Sequence, residues 1–255
     1  MSSLLFKISP ASLLNYLMDS QGRIMKIKSL VAAVATLVAS TAMAQSVFQG
    51  FYGQIATGYE TNNVKSSTTT YTSDTDGYLG TYSNPSVNFS NAPIIAGLGY
   101  TFSLSKQYTL GLGADYSFIT GKSGNFTSTS AGSDPSVDYY KTSNRLNIYL
   151  TPGYVIDKDK LAYLKAGYSS QKLESFAGAT NTSSSANVSG YILGVGYKQM
   201  ITSGLYGFGE ANYMSYSKAN LNGSTACERG CNTGFTSASV PSSAYNFLIG
   251  LGYRF

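Results

Sequence analysis

Tyr245-Asn-Phe-Leu-Ile-Gly-Leu-Gly-Tyr-Arg-Phe255 reads as two interleaved series. Tyr245, Phe247, Ile249, Leu251, Tyr253 and Phe255 fall on one face of an extended chain. Asn246, Leu248, Gly250, Gly252 and Arg254 fall on the other. Successive side chains of a β-strand point to opposite faces, so a two-residue period marks a strand with one apolar face and one small or polar face. Tyr108-Thr-Leu-Gly-Leu-Gly-Ala-Asp-Tyr-Ser-Phe118 repeats the pattern. There Tyr108, Leu110, Leu112, Ala114, Tyr116 and Phe118 oppose Thr109, Gly111, Gly113, Asp115 and Ser117.

The same template finds six further segments, giving eight. They run roughly over Phe48–Glu60, Asn91–Phe102, Tyr108–Thr120, Ser143–Ile156, Leu161–Lys172, Val188–Gln199, Leu205–Tyr216 and Ala244–Phe255. Each has about the 9–11 residues a tilted strand needs to cross a bilayer, and a little more. Ser103–Gln107, Asp157–Lys160 and Met200–Gly204 are short connections, whereas Thr61–Ser90, Gly121–Thr142, Leu173–Asn187 and Ser217–Ser243 are long. Short turns at one end and long loops at the other are the asymmetry of an outer-membrane barrel. Of the 28 residues in 61–88, 16 are Ser, Thr or Asn, so little of that loop is expected to bury itself. The expected fold is all-β: an eight-stranded antiparallel transmembrane β-barrel with short periplasmic turns and long extracellular loops. Ten strands follow instead if Thr61–Ser90 contains a hairpin around Tyr71–Tyr82.

A soluble barrel would also alternate, so the faces have to be assigned. The apolar face carries rings near strand ends, among them Tyr100, Phe102, Tyr108, Phe118, Tyr154, Tyr168, Tyr197, Tyr213, Tyr253 and Phe255. Aromatic girdles of this kind sit where a lipid-facing band meets the headgroups. The opposite face is Gly, Thr, Ser and isolated charges, too small and polar for the core of a soluble barrel. Composition agrees: charged residues make up 11% of the chain, against about 25% in an ordinary soluble domain. No segment after the leader has 18 consecutive apolar residues, the length a helical span would need.

Met25 to Ala44 reads as a secretory signal peptide. Lys26 and Lys28 form a basic start, Leu30–Ala39 an apolar stretch and Ala42-Met43-Ala44 a cleavage site. Residues 1–24 then form an extension upstream of Met25, and residues 45–255 the barrel domain. The leader region holds four of the 17 basic residues and one of the 12 acids, so the remaining 211 residues carry 13 − 11 = +2 of the formal +5. The basic balance is largely an export feature, and no Lys/Arg patch argues for nucleic acid.

The C-terminal run Tyr245–Phe255, with its final ring, resembles the assembly signal of outer-membrane proteins. Ala162-Tyr-Leu-Lys-Ala-Gly-Tyr168, Gly194-Val-Gly-Tyr197 and Glu210-Ala-Asn-Tyr213 resemble strand motifs of the OmpA/OmpX/Opa-type small barrels, the porin or outer-membrane β-barrel family. The resemblance covers Gln45–Phe255. It implies a cell outer-membrane location after export through the periplasm and contact with outer-membrane lipid and lipopolysaccharide. It also implies recognition of Tyr245, Phe247, Ile249, Leu251, Tyr253 and Phe255 by the barrel-assembly machinery. That family shares no catalytic residue to carry over.

The chain contains no histidine, which removes the commonest general base and metal ligand. No catalytic, metal or cofactor site is expected, and the Asp74/Asp76 and Asp157/Asp159 pairs read as surface charges. With eight strands the interior is only wide enough for side chains. Asp115, Arg145, Lys165, Lys198, Glu210 and Arg254 are expected to point inward as a charge network. Within it Glu210 should face Gly194 and Gly250, leaving room for Lys198 and Arg254 to reach its carboxylate as a plug. Cys227 and Cys231, in the last long loop of an exported chain, favour a small intraloop disulfide, with free thiols the alternative. The expected function is structural or surface-interactive: a monomeric, non-enzymatic barrel whose loops meet a host or cell-surface ligand, in the manner of an adhesin or surface antigen. The competing reading is a narrow porin-like channel or an OmpW-like route for small or hydrophobic solutes.

Overall fold

A computed structural model describes residues 46–73, 79–128, 136–178, 182–225 and 234–255. Its strands are β1 (Gly50–Val64), β2 (Ser67–Ser73), β3 (Leu79–Asn84), β4 (Val87–Asn91), β5 (Ile94–Ser103), β6 (Tyr108–Ser117), β7 (Gly121–Lys122), β8 (Phe126–Ser128), β9 (Ser136–Asp157), β10 (Lys160–Ala177), β11 (Thr182–Met200), β12 (Leu205–Thr225) and β13 (Gly234–Arg254). Strands β1, β5, β6, β9, β10, β11, β12 and β13 follow one another around an antiparallel ring. β13 closes it on β1 from Tyr52↔Arg254 to Val64↔Ser242. Closure leaves no row of unpaired backbone groups, which hydrocarbon would penalise by several kcal/mol per group.

The faces follow the alternation. Ile249 is 69% exposed while its neighbour Leu248 is 5% exposed, so the outer surface is the apolar one. Phe51, Ile55, Leu98, Leu112, Ile148, Leu164, Val195 and Phe247 continue this band around the ring, all exposed. A soluble barrel would bury those residues.

Three tight connections mark one end. Leu104 and Ser105 donate to Tyr108 O, and Ile201 and Thr202 donate to Leu205 O. The third is the two-residue turn Lys158–Asp159 between β9 and β10. Both ends of the described barrel meet here, where Phe255 N donates to Phe51 O at 2.9 Å.

At the other end the strands outrun the sequence expectation. β9, at 22 residues, extends ~70 Å at about 3.3 Å per residue. Tilted by ~45°, it spans ~50 Å of height against ~30 Å of hydrocarbon. Most of Leu173–Asn187 and much of Ser217–Ser243, expected as loops, are therefore strand. A hairpin does lie in the Thr61–Ser90 region, as β2–β3, but it does not enter the ring. β2 pairs with β13 over Gly234–Ala238, beyond the point where β1 has left it, and β4 pairs back onto β1. The membrane ring has eight strands. The handover has a local cause: Lys65 N donates to Pro241 O at 3.0 Å, and proline has no amide to return.

Two bulges re-aim side chains. In β9, Asn144 and Arg145 together oppose Gln171 between the pairs Leu146↔Ser170 and Ser143↔Lys172. Asn144 takes φ 53°, a left-handed conformation that asparagine tolerates better than most residues. The extra residue reverses the phase, so Arg145 and Thr142 both point inward and Tyr140 follows them. A second bulge in β12 sets Ser217 and Lys218 opposite Pro241.

Candidate functional site

The lumen is the candidate site, and cross-strand pairs of ring and glycine shape its walls. Tyr52 faces Gly99, Tyr149 faces Gly113, Tyr163 faces Gly196, and Tyr206 faces Gly252. A Cβ at Gly113 would lie 2.5 Å from the Tyr52 hydroxyl and 2.7 Å from Tyr149 Cε2. Each inward ring lies flat over the space its partner lacks, which shields the glycine backbone and lets rings fit inside a narrow barrel.

Above this aromatic layer lies a fully buried ion cluster. Lys165 Nζ donates to Asp115 Oδ2 at 2.9 Å and to Glu210 Oε2 at 3.0 Å. Tyr163 donates to Glu210 Oε1 at 2.7 Å, Asn212 to Glu210 Oε2 at 3.1 Å, and Asn147 to Asp115 Oδ1 at 2.6 Å. Asn212 also donates to Asn246 Oδ1 at 3.0 Å, and Asn246 donates to Glu60 Oε2 at 3.3 Å. Glu60 in turn holds Arg145. One hydrogen-bonded chain thus crosses the lumen from Asp115 to Arg145. A buried carboxylate without partners would cost several kcal/mol, and here each is met by a cation and by amide or phenol donors.

Asp115, Lys165 and Glu210 are brought together as one cluster. Arg145 is inward but belongs to a pair with Glu60, which sequence reading missed. The signal was present, because Glu60 is in phase with Tyr52, Gln54 and Ala56 on β1. The expected Glu210–Lys198–Arg254 plug is not formed. Glu210 is opposite Gly196 and Leu248, two residues from the expected Gly194 and Gly250 on each side. That offset places Lys165 rather than Lys198 at its carboxylate. Lys198 lies instead among three rings, its Nζ 4.3, 5.0 and 5.2 Å from the centroids of Tyr52, Tyr206 and Tyr163. Arg254 donates to Gln49 O at 3.2 Å and to Ser203 O at 2.8 Å, bracing the turn end. Cys227 and Cys231 lie outside the described residues. Tyr245, Phe247, Ile249, Leu251, Tyr253 and Phe255 all point outward and are exposed.

Toward the loop end the lumen turns apolar. Val64, Phe89, Tyr140, Leu173, Val188, Ile192, Met214, Leu221 and Val240 pack into one buried cluster. The seam between β3 and β8 over this cluster is bridged by Ser128, which donates to Asn84 Oδ1 at 2.9 Å. At the turn end a small recess, partly open to solvent, is lined by Phe48, Tyr52, Leu161, Met200, Tyr206 and Arg254, with Lys198 also on its wall.

An eight-stranded antiparallel barrel, apolar outside and polar inside, with tight turns at one end and long extensions at the other, is an outer-membrane β-barrel in fold. A solved structure gives the same class. OmpT, the outer membrane protease of Escherichia coli, aligns with TM-score 0.51 and 11% identity over 85% of this chain and 100% of its own. OprG, an outer membrane protein of Pseudomonas aeruginosa, aligns with TM-score 0.48 and 13% identity over 83% of this chain and 99% of its own. Ail, the attachment invasion locus protein of Yersinia pestis, aligns with TM-score 0.39 and 14% identity over 81% and 99%. At 11% identity the likeness to OmpT is one of fold. No family model and no curated protein sequence matches the chain.

Proposed function

We propose that this chain is a sealed outer-membrane scaffold, located in the cell outer membrane, whose role is to present a rigid β-built surface outside the cell. The observation that carries this reading is the filled lumen. The Asp115–Lys165–Glu210 and Glu60–Arg145 groups occupy its middle, and the cluster around Leu173, Ile192 and Met214 occupies its outer part. Strands that continue beyond the bilayer supply the surface such a contact needs. On this reading the protein is non-catalytic, monomeric and adhesin- or antigen-like, and Tyr245–Phe255 serves its insertion by the assembly machinery.

The decisive measurement is conductance of the purified, folded protein in a planar bilayer, paired with binding of cells that display it. Silence in the bilayer, with cell-surface binding lost on deletion of residues 66–86, supports the scaffold. Steady single-channel conductance overturns it in favour of a narrow channel. The observation favouring that second reading is the polar chain from Asp115 to Arg145, together with the Lys198 ammonium on the wall of the recess at the turn end.

A further inference from the structure

The turn end of the lumen gathers positive charge with no acid beside it. Lys198 lies on β11 in phase with Gly194 and Gly196, so its side chain enters the lumen, where it is 7% exposed. The ring faces of Tyr52, Tyr163 and Tyr206 surround its ammonium. Ring faces attract a cation, but they offer no lone pair to its three N–H donors. Among the described residues, Lys198 Nζ has no hydrogen-bond acceptor and no carboxylate at ion-pair distance.

Arg254 reaches the same recess from β13, opposite Tyr52 on β1. Its terminal nitrogens are engaged by Gln49 O and Ser203 O. Its Nε is buried and finds no acceptor. Two cationic side chains with unused N–H donors thus line one recess, and none of the residues lining it is acidic. Buried donors without acceptors are uncommon in folded chains, and a bound ion or water is one usual reason for them.

Charge decides between ion and water. Among the buried groups from the turn end up to the middle of the lumen, Asp115, Lys165 and Glu210 sum to −1, and Glu60 with Arg145 to zero. Lys198 balances the first group at a distance, and Arg254 leaves an excess of +1. Water would meet the donors and leave that charge standing. One monovalent anion meets both, and a divalent one overshoots.

Size and surroundings narrow the occupant further. The recess has room for about one water-sized atom or group. Phe48, Leu161 and Met200 wall it with hydrocarbon, and Phe48, from the segment before β1, packs with Leu161 and Tyr163. Deeper passage is barred to an anion. Tyr163, 5.2 Å from Lys198 Nζ, donates to the Glu210 carboxylate, which shares Lys165 with Asp115.

We propose that Lys198 and Arg254 hold one small monovalent anion, of halide or formate size, in the recess at the turn end of the barrel.

The test is heteronuclear NMR of the folded, isotope-labelled protein in dodecylphosphocholine micelles, with chloride exchanged for gluconate at constant ionic strength. The Arg254 Nε–H and Lys198 backbone amide signals shift saturably with chloride or formate, while Arg145 Nε–H, beside Glu60, does not. Lys198→Met, read at Arg254 Nε–H, weakens the response about tenfold or more, the usual worth of a hydrogen bond to a charged group. Arg254→Lys, read at the Lys198 amide, keeps the charge but loses Nε and weakens it about fivefold. Phe48→Ala widens the recess and gains a response to acetate, a gain that misfolding cannot mimic. No saturable shift with chloride, or an undiminished response in Lys198→Met, overturns the site. Octanoate held more tightly than formate would identify a chain-bearing carboxylate and overturn the free-ion assignment.

Discussion

Replacing Lys165 by methionine isolates the part of the lumen that charge holds together. Methionine keeps an unbranched stem of similar length, so the principal loss is the ammonium. That group lies 2.9 Å from Asp115 Oδ2 and 3.0 Å from Glu210 Oε2, with all three side chains at most 4% exposed. At an effective dielectric of ~20, each contact is worth ~5 kcal/mol before desolvation is counted. The net worth of the cluster is far smaller, but removing one member strands the others, typically at a cost of about 3–5 kcal/mol. Glu210 keeps its donors Tyr163 and Asn212, and Asp115 keeps Asn147. The expected loss therefore sits near the low end, about 3 kcal/mol.

The assay is urea unfolding from phospholipid vesicles, followed by far-UV circular dichroism and tyrosine emission, since the chain has no tryptophan. Lys198→Met is the control. Its ammonium meets rings and, among the described residues, no carboxylate at ion-pair distance. Removing it sets a cation–π attraction of about 0.5–2 kcal/mol against relief from burying a charge, and the change should stay within ~1 kcal/mol. Neutralising the whole cluster, as D115N/K165M/E210Q, should recover most of what Lys165→Met loses. A Lys165→Met loss below ~1 kcal/mol, or one no larger than that of Lys198→Met, would refute the view that paired charges fasten this lumen.

Gly196→Ala should destabilise the barrel by about 1–3 kcal/mol in the same assay, because its Cβ would lie 2.5 Å from the Tyr163 hydroxyl and 2.7 Å from Cε2. Gly124→Ala, with nothing within 4 Å of its Cβ, should change nothing measurable. Ile249→Lys places a charge on the lipid face of β13, at a side chain 69% exposed to it, and should cost about 2–4 kcal/mol if that position is near mid-membrane. Asn144→Val forces a β-branched residue to φ 53° and should cost about 1–2 kcal/mol, whereas Asn144→Gly should be nearly neutral; unfolding midpoints of the two variants decide.

The membrane ring was legible because its penalty is uncompromising. In Tyr108–Phe118 and Tyr245–Phe255 every second residue meets lipid, so the alternation survives almost unbroken. Ion pairing was legible only in part. Inward charges can be read from phase, but who meets whom depends on register, and an offset of two residues moved Glu210 from Lys198 to Lys165. Bulges hid more. Tyr139-Tyr140-Lys141-Thr142-Ser143-Asn144-Arg145 has no alternation to follow, and only the left-handed Asn144 reveals why Tyr140 and Arg145 share one side.

The long extensions were missed for a different reason, and it bears on what the molecule is for. In the membrane segment of β13 the apolar residues, Leu248 apart, are odd-numbered and outward, from Tyr245 to Tyr253. Beyond it they are even-numbered and inward, as with Ala244, Val240 and Ala238. β10 makes the same change between outward Tyr168 and inward Leu173, and β11 between outward Tyr191 and inward Val188. The strands run on, but the solvent outside them changes from lipid to water, so the apolar face must change sides. A single-phase template stops at that boundary and reports a loop. The consequence is a barrel of two halves, inside-out within the bilayer and conventionally packed above it, with the ion cluster lying below the apolar plug. An aqueous path would have to breach that plug, whereas a surface scaffold needs it, since the outer half has no lipid to support its walls and stands on its own core.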